Sequence, residues 1–423
     1  MNNIVLPFSR EEALRVRPLV EQACDESRSR SWPFLSDVLA PILRGVPEED
    51  AGIAAAAVHA MVKFDRLLGF ACGEDIAGGA STTARFDALF ALAANRVPIA
   101  ERIERIDNAV ERIGIAYSMP DWIVELVRDE GMLGVMNEPA PRCLRVNTLK
   151  ATREAAMQAL AREGVGVRPT KYATNGLLLE GRRSPFRTQA FARGDFEMQD
   201  EGSQIVADLV APPPRSLVID VCAGAGGKTL ALASLLHNKG LVVALDVSRE
   251  KLTELKRRAR RAGASNVQAV AVDVLQPGEA LRDRQGGARR VLVDAPCTGF
   301  GAIRRNPEAR WRLQPRDVAR FAAAQVALLR AAAPLVAPGG RLVFCTCSFL
   351  RVEGENVVEA FLGEDSTFTT VTARDVFGTA RAERVATENG HYLRTWRTGM
   401  APEADAMDGF FAAVLRRAKP LLS

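Results

Sequence analysis

The sequence predicts an α/β protein in three parts: an all-helical N-terminal region, a small α+β module, and a larger domain built on a mostly parallel sheet. Three observations predict it. Over residues 1–135 apolar residues recur at helical spacing and almost nothing alternates as a strand would. Over 136–200 short strand-like runs surround one helix. From 201 to the end, apolar strands alternate with helices, the pattern of parallel strands covered on both faces.

Composition sets outer bounds. A chain of 423 residues is long enough for two or three domains, and 48% hydrophobic with 25% charged residues supports a substantial core. A net charge of +5 permits a polyanionic partner without specifying one. Seven irregularly spaced cysteines do not make a disulfide framework. Cys345-Thr-Cys347 lacks zinc-knuckle spacing and only three histidines are present, so no metal site is expected. No apolar run reaches signal-peptide or membrane-spanning length, and a cytoplasmic location is expected.

In the first part, Ser9-Arg-Glu-Glu12 has the form of a capping box before a helical stripe of Leu14, Val16, Leu19, Val20 and Ala23. Pro98 is expected to open another helix, with Ile99, Ile103, Ile106, Val110 and Ile113 on one face and Gly114 at its end. A shorter helix over 120–130 is expected to close at Gly131. In the module, 142–149, 165–168 and 177–179 read as strands, and Thr152 caps a helix running to Glu163. In the third part, 216–220, 241–246, 267–273, 291–294 and 342–344 read as strands, entered through the linker Pro212-Pro-Pro214.

Open parallel sheets bind ligands beyond the carboxyl ends of their strands. After the first such strand comes Asp220-Val-Cys-Ala-Gly-Ala-Gly-Gly-Lys228, a glycine-rich turn that lets backbone approach a ligand. The helix it leads into, 228–237, offers free N–H groups to an anion. Position 222 is cysteine where a P-loop requires glycine, and Thr229 stands at the last glycine of the dinucleotide pattern. The third reading of the turn is a site for the methyl donor S-adenosylmethionine, whose amino-acid end would sit beside it. Asp246, closing the second strand, is placed to accept from ribose hydroxyls, and Asp273, closing the third, to hold the adenine amino group.

Two further strand ends carry cysteines: Cys297 in Asp294-Ala-Pro-Cys297 and Cys347 in Thr346-Cys-Ser348. Carbon 5 of cytosine accepts a methyl group only after a thiolate has added to carbon 6. That chemistry needs an activated cysteine, a group at nitrogen 3 of the base, and help in releasing the enzyme. Asp294 is expected at nitrogen 3 with Lys228 nearby. Cys24, Cys72, Cys143 and Cys345 read as small buried hydrophobes. Beyond Cys297, Arg304, Arg305, Arg310 and Arg312 surround Trp311, and this cluster is expected to contact RNA by phosphate pairing and base stacking. The run Lys256-Arg-Arg-Ala-Arg-Arg261 reads as surface charge.

The combination resembles the Sun-type (Nop/Sun or Fmu) family of RNA cytosine-carbon-5 methyltransferases. It does so through Arg145-Val-Asn-Thr148, Gln199-Asp-Glu-Gly-Ser-Gln204, the turn at 220–228, Asp294-Ala-Pro-Cys297, Arg304-Arg-Asn-Pro307 with Trp311, Thr346-Cys-Ser348, Glu353-Gly-Glu-Asn356 and Asp408-Gly-Phe-Phe411. The resemblance implies a Rossmann-like, S-adenosylmethionine-dependent methyltransferase domain. It implies Cys347 as nucleophile and Cys297 as the residue that assists release, and it carries cofactor contacts onto Cys222, Ala223, Gly224, Ala225, Gly226, Gly227, Lys228, Asp246, Asp273 and Asp294. The helical region is similar to the NusB-like domain of bacterial members that methylate small-subunit ribosomal RNA. A monomer whose partner is that RNA is therefore expected, with no obligate protein partner. Gly224-Ala225 departs from the family's Ala-Pro, which is expected to loosen the turn but leave its donors, and Trp396-Arg397 departs from Trp-Pro. A methyltransferase of the same fold for transfer RNA stays open, as do one for nitrogen or protein with both cysteines structural and a non-catalytic ribosome-assembly factor.

Overall fold

The structure is a computed structural model that describes residues 4–73, 79–387, 390–396 and 407–419. These form two compact units. Of the described residues, 4–139 and 302–317 make a helical unit, and 140–301, 318–396 and 407–419 make an α/β unit. The division differs from three consecutive segments. The small module shares a unit with the large sheet, and the stretch after Cys297 leaves for the helical unit.

The helical unit starts as its sequence dictates. Ser9 accepts from Glu12 N, and the Glu12 carboxylate accepts from Ser9 N, at the head of Arg10–Arg15. Its core gathers Val20, Val58, Met61, Leu68, Phe86 and Leu89. The helix expected from Pro98 is two, Ala100–Glu104 and Ala109–Ala116. Asn108 Oδ1 accepts from the amides of Val110 and Glu111, and that local cap overrides the continuous apolar stripe. Gly114 lies inside the second helix, where a Cβ would stand 2.3 Å from Arg66 Nη1. The next helix, Asp121–Val127, stops because Arg128 turns left-handed at φ 50°, and Asp129 caps Glu130–Val135, which contains Gly131.

In the α/β unit the small sheet consists of β1 (Cys143–Val146), β2 (Gly166–Pro169), β3 (Gly176–Glu180) and β4 (Phe196–Met198), all antiparallel in the order β2-β3-β1-β4. Thr152 caps the helix Arg153–Arg162 as expected. The short strand β4 was not foreseen; three residues show no alternation to read.

The large sheet consists of β5 (Leu217–Val221), β6 (Leu241–Asp246), β7 (Val267–Ala271), β8 (Ala288–Asp294), β9 (Val336–Thr346), β10 (Phe368–Val371), β11 (Leu393–Arg394) and β12 (Phe411–Arg417). Its order is β10-β12-β9-β8-β5-β6-β7, with β11 beside β12. Strands β5 to β9 pair in parallel, whereas β12 runs antiparallel between β9 and β10. Alternation along each strand builds two cores. Val218, Val242, Ala244, Leu292 and Val343 fill one face, and Ile219, Val243, Leu245, Val291, Val293 and Phe344 the other. Among the described residues one helical stretch, Pro315–Leu335, is long and apolar enough to cross a membrane. It contributes Leu328, Leu329 and Ala332 to the second of these cores.

Candidate active site

Chain order reverses at β5: the chain steps one way to β6 and the other way to β8. The crevice beyond the carboxyl ends of β5 and β8 is therefore where such a sheet binds its ligand. The glycine-rich turn leaves β5 here, with positive φ at Cys222 (61°), Gly224 (55°) and Gly226 (87°). At Gly226 a Cβ would meet Leu255 Cγ at 2.6 Å, so the helix Gly227–Leu235 can pack here only on glycine. At Gly224 a Cβ would meet nothing within 4 Å, so the turn faces open space on that side. Its amide donates to Asp246 Oδ2 at 2.8 Å, so the Gly224-Ala225 departure from Ala-Pro leaves that donor in place. The residues 222–225 and Gly227 are all partly exposed.

Asp246, at the end of β6, spends Oδ2 on Gly224 N and Oδ1 on Ser248 N at 2.8 Å. Ser248 in turn caps Arg249–Ala262. Asp273 lies past the end of β7, exposed, and accepts from Leu275 N. Burial pushes the Cys222 thiol up to about 12, so it lines the turn as an uncharged group.

The turn also has a support that sequence reasoning missed. Arg258 Nη1 donates to Ala225 O at 2.8 Å, and its other nitrogens donate to Glu197 Oε2. Arg261 pairs with the same carboxylate, which is buried. The basic run 256–261 is therefore not plain surface charge: its inward-facing members hold the glycine-rich turn to the small sheet. Helical spacing of Arg258 and Arg261 was the available signal.

Parallel pairing of β8 with β9 sets Asp294 opposite Cys345, which places the two cysteine-bearing loops side by side. Lys228 Nζ donates to Asp294 Oδ2 at 2.8 Å, and Cys345 Sγ to Asp294 Oδ1 at 3.2 Å. Burial works against the Lys228 ammonium, but Asp294 and the neighbouring cysteines outweigh it and hold it above the ordinary lysine range. Burial, then Asp294, push the Cys345 thiol well up, which agrees with its reading as structural. The Cys297 and Cys347 sulfurs lie 3.4 Å apart. The hydrogen bond to Cys347 and burial raise the Cys297 thiol well above its usual value, so Cys297 stays a protonated thiol.

The arginine cluster after Cys297 does something other than expected. Arg310 is fully buried in the helical unit and donates to Lys63 O, Ser118 O, Asn137 Oδ1 and Met136 O. Trp311 Nε1 donates to Val62 O at 2.7 Å, and its ring lies 6.0 Å from that of Trp32. Arg304 is buried and Arg305 half-buried. Phosphate pairing by Arg304 or Arg310 and base stacking by Trp311 do not describe these positions: Arg310 and Trp311 anchor the inserted segment in the helical core. Trp396 is buried with its indole N–H on Met407 O, and Arg397 lies outside the described residues.

Known proteins share both the sequence and the fold. A Bacillus subtilis (strain 168) protein named probable ribosomal RNA small subunit methyltransferase B is 34% identical over 322 residues, 74% of this chain and 70% of that protein. The human 28S rRNA (cytosine(4447)-C(5))-methyltransferase is 31% identical over 75% of this chain but only 40% of its own length. Among solved structures, PH0851 superposes with a TM-score of 0.75 at 23% identity, over 99% of this chain and all of that one. A methyltransferase homologue from Pyrococcus horikoshii gives 0.61 at 25% identity, over 74% of this chain and all of that one.

Fold and site together are those of an S-adenosylmethionine-dependent methyltransferase. Residues 207–416 match the sequence model of 16S rRNA methyltransferase RsmB/F, and residues 119–184 match that of the ferredoxin-like domain of RsmF/B-like methyltransferases. The chain belongs to the RsmB/F methyltransferase family.

Proposed function

We propose that this protein methylates carbon 5 of a cytosine in RNA, most fittingly small-subunit ribosomal RNA, through a covalent cysteine–cytosine adduct. The observation that carries the reading is the pair of thiols 3.4 Å apart, next to the Lys228–Asp294 ion pair at the switch point of the sheet. Names of relatives from bacteria and from human point the same way.

The turn 222–228, Asp246, Asp273 and Asp294 would hold S-adenosylmethionine, which when bound supplies an electrophilic methyl group. A partly exposed turn leading into a helix N-terminus and two acidic strand ends suit its charged amino-acid end and its hydroxyl-bearing ribose. Cys347 is the thiolate that forms the S–C6 bond to cytosine, moving electron density to carbon 5. Asp294, oriented by Lys228, is the acceptor offered to the polar edge of the base. After methylation carbon 5 gives its proton to solvent water, the C–H electrons re-form the C5=C6 double bond, and the S–C6 bond breaks with its electrons returning to Cys347, to which a neighbouring thiol can lend a hydrogen bond. Cys297, holding the S–H beside it, is that thiol. The small sheet, which presents exposed Lys150 and Arg162, is read as an RNA-contacting surface, and the helical unit as a second one. The chain is read as acting as a monomer.

The test is transfer of labelled methyl to unmodified small-subunit ribosomal RNA by wild type, Cys347→Ala and Cys297→Ala. Loss of transfer in the first variant and a stalled protein–RNA adduct in the second support the reading. Full transfer by Cys347→Ala overturns it.

A further inference from the structure

Glu353 is fully buried in the α/β unit, outside the sheet, and its hydrogen bonds run to neither cysteine. Its partners are the neighbours of both. Oε1 accepts from Thr298 N at 2.8 Å and Oε2 from Thr298 Oγ1 at 2.5 Å, so the carboxylate grips the residue next to Cys297 with both oxygens. Its own carbonyl accepts from Thr346 Oγ1 at 3.2 Å, the residue next to Cys347. Gln325 completes the clamp, donating from Nε2 to Pro296 O at 2.9 Å and to Glu353 Oε1 at 3.3 Å. A direct backbone bond, Gly301 N to Cys347 O at 3.0 Å, closes the far side.

A buried carboxylate that accepts three hydrogen bonds is costly unless each is kept, and such an acceptor fixes its donors in place. From this geometry we infer that Glu353 is a positioning residue: it sets the spacing of the Cys297 and Cys347 thiols and thereby couples adduct formation to adduct release. The inference rests on the two-thiol reading of the site. Its negative charge also adds to the causes that keep the Cys297 proton in place.

The clamp differs from a plain structural contact in what its loss does. Methyl transfer needs Cys347 alone, whereas elimination needs Cys297 held beside it. Loosening Thr298 should therefore slow release more than transfer, and a displacement of about 1 Å is worth on the order of 100-fold in such a step.

The experiment uses the full-length protein as Glu353→Gln and, from the other side of the clamp, Thr298→Val, with thermal unfolding followed for each. Three readouts are compared with wild type: single-turnover methyl transfer, the fraction of protein trapped as RNA adduct, and the rate at which diamide closes a Cys297–Cys347 disulfide, mapped by mass spectrometry. The expected result for both folded variants is accumulation of adduct, with transfer reduced less than release, and disulfide closure slowed about tenfold or more. Unchanged disulfide closure and no adduct in either folded variant overturn the inference. The disulfide rate needs no RNA and no cofactor. If it slows while Cys347→Ala retains full transfer, the clamp stands and the methylation reading falls.

Discussion

The ammonium of Lys228 sits 2.8 Å from the carboxylate of Asp294, on elements that begin and end at the same crevice. The lysine side chain is only 8% exposed, so the pair cannot be broken from one side cheaply. Asp294→Ala is expected to lose about 3 kcal/mol of stability through the unpaired buried ammonium, and methyl transfer by about 100-fold or more. The double variant Lys228→Met with Asp294→Ala should lose less stability than the two single losses added. Urea unfolding of the four proteins closes that cycle.

Arg258 braces the glycine-rich turn through its backbone, at Ala225 O. Arg258→Ala removes the donor to Ala225 O and one of the two cations paired with Glu197. The expected outcome is about a tenfold weaker S-adenosylmethionine affinity, by calorimetry, from loss of roughly 1.5 kcal/mol of turn stabilisation. Equal affinity would show that the turn holds its shape unaided.

Arg310 distinguishes a core anchor from an RNA contact. Arg310→Met leaves four buried acceptors without their donor, and a stability loss of about 3 kcal/mol is expected. The slope of RNA affinity against salt should stay as it was, whereas removing a phosphate contact lowers that slope by about one.

Asp220 predicts a pH dependence. It is completely buried behind the turn, with Oδ2 accepting from Thr229 Oγ1 and Oδ1 without a partner. Burial raises it to about 7. The folded state therefore retains this proton where the unfolded chain has released it, and folding stability falls as pH climbs from about 4 to about 7. Above that window the penalty, up to about 4 kcal/mol, is fully present. Asp220→Asn keeps an acceptor for Thr229 and should flatten the window, raising the urea midpoint at pH 8 relative to wild type while leaving it nearly unchanged at pH 4.

What could be read from the sequence was what local pattern encodes. Five parallel strands, the positive-φ glycine turn and the cysteines at two strand ends all follow from apolar runs and the residues that stop them. The readings of Arg310 and Arg258, and the silence on Glu353, share one cause, which is that the deciding partner lies far away in sequence. Nothing near Arg310 announces Asn137 or Ser118, nothing near Glu353 announces Thr298, and nothing near Arg258 announces Glu197. The helix from Pro98 failed for the opposite reason: a continuous stripe was given more weight than the Asn108 cap that interrupts it.

The inserted segment also imposes an order of events on biosynthesis. Residues 4–139 leave the ribosome first, but Arg310 and Trp311, whose donors saturate the carbonyls of Lys63, Val62, Ser118 and Met136, follow on the order of ten seconds or more later at ordinary elongation rates. Until then the N-terminal helices are an incomplete body, and a fragment ending at residue 139 never acquires its missing wedge. A cut after residue 139 would therefore leave the first half short of its wedge and the second half carrying a wedge with no helical core to receive it.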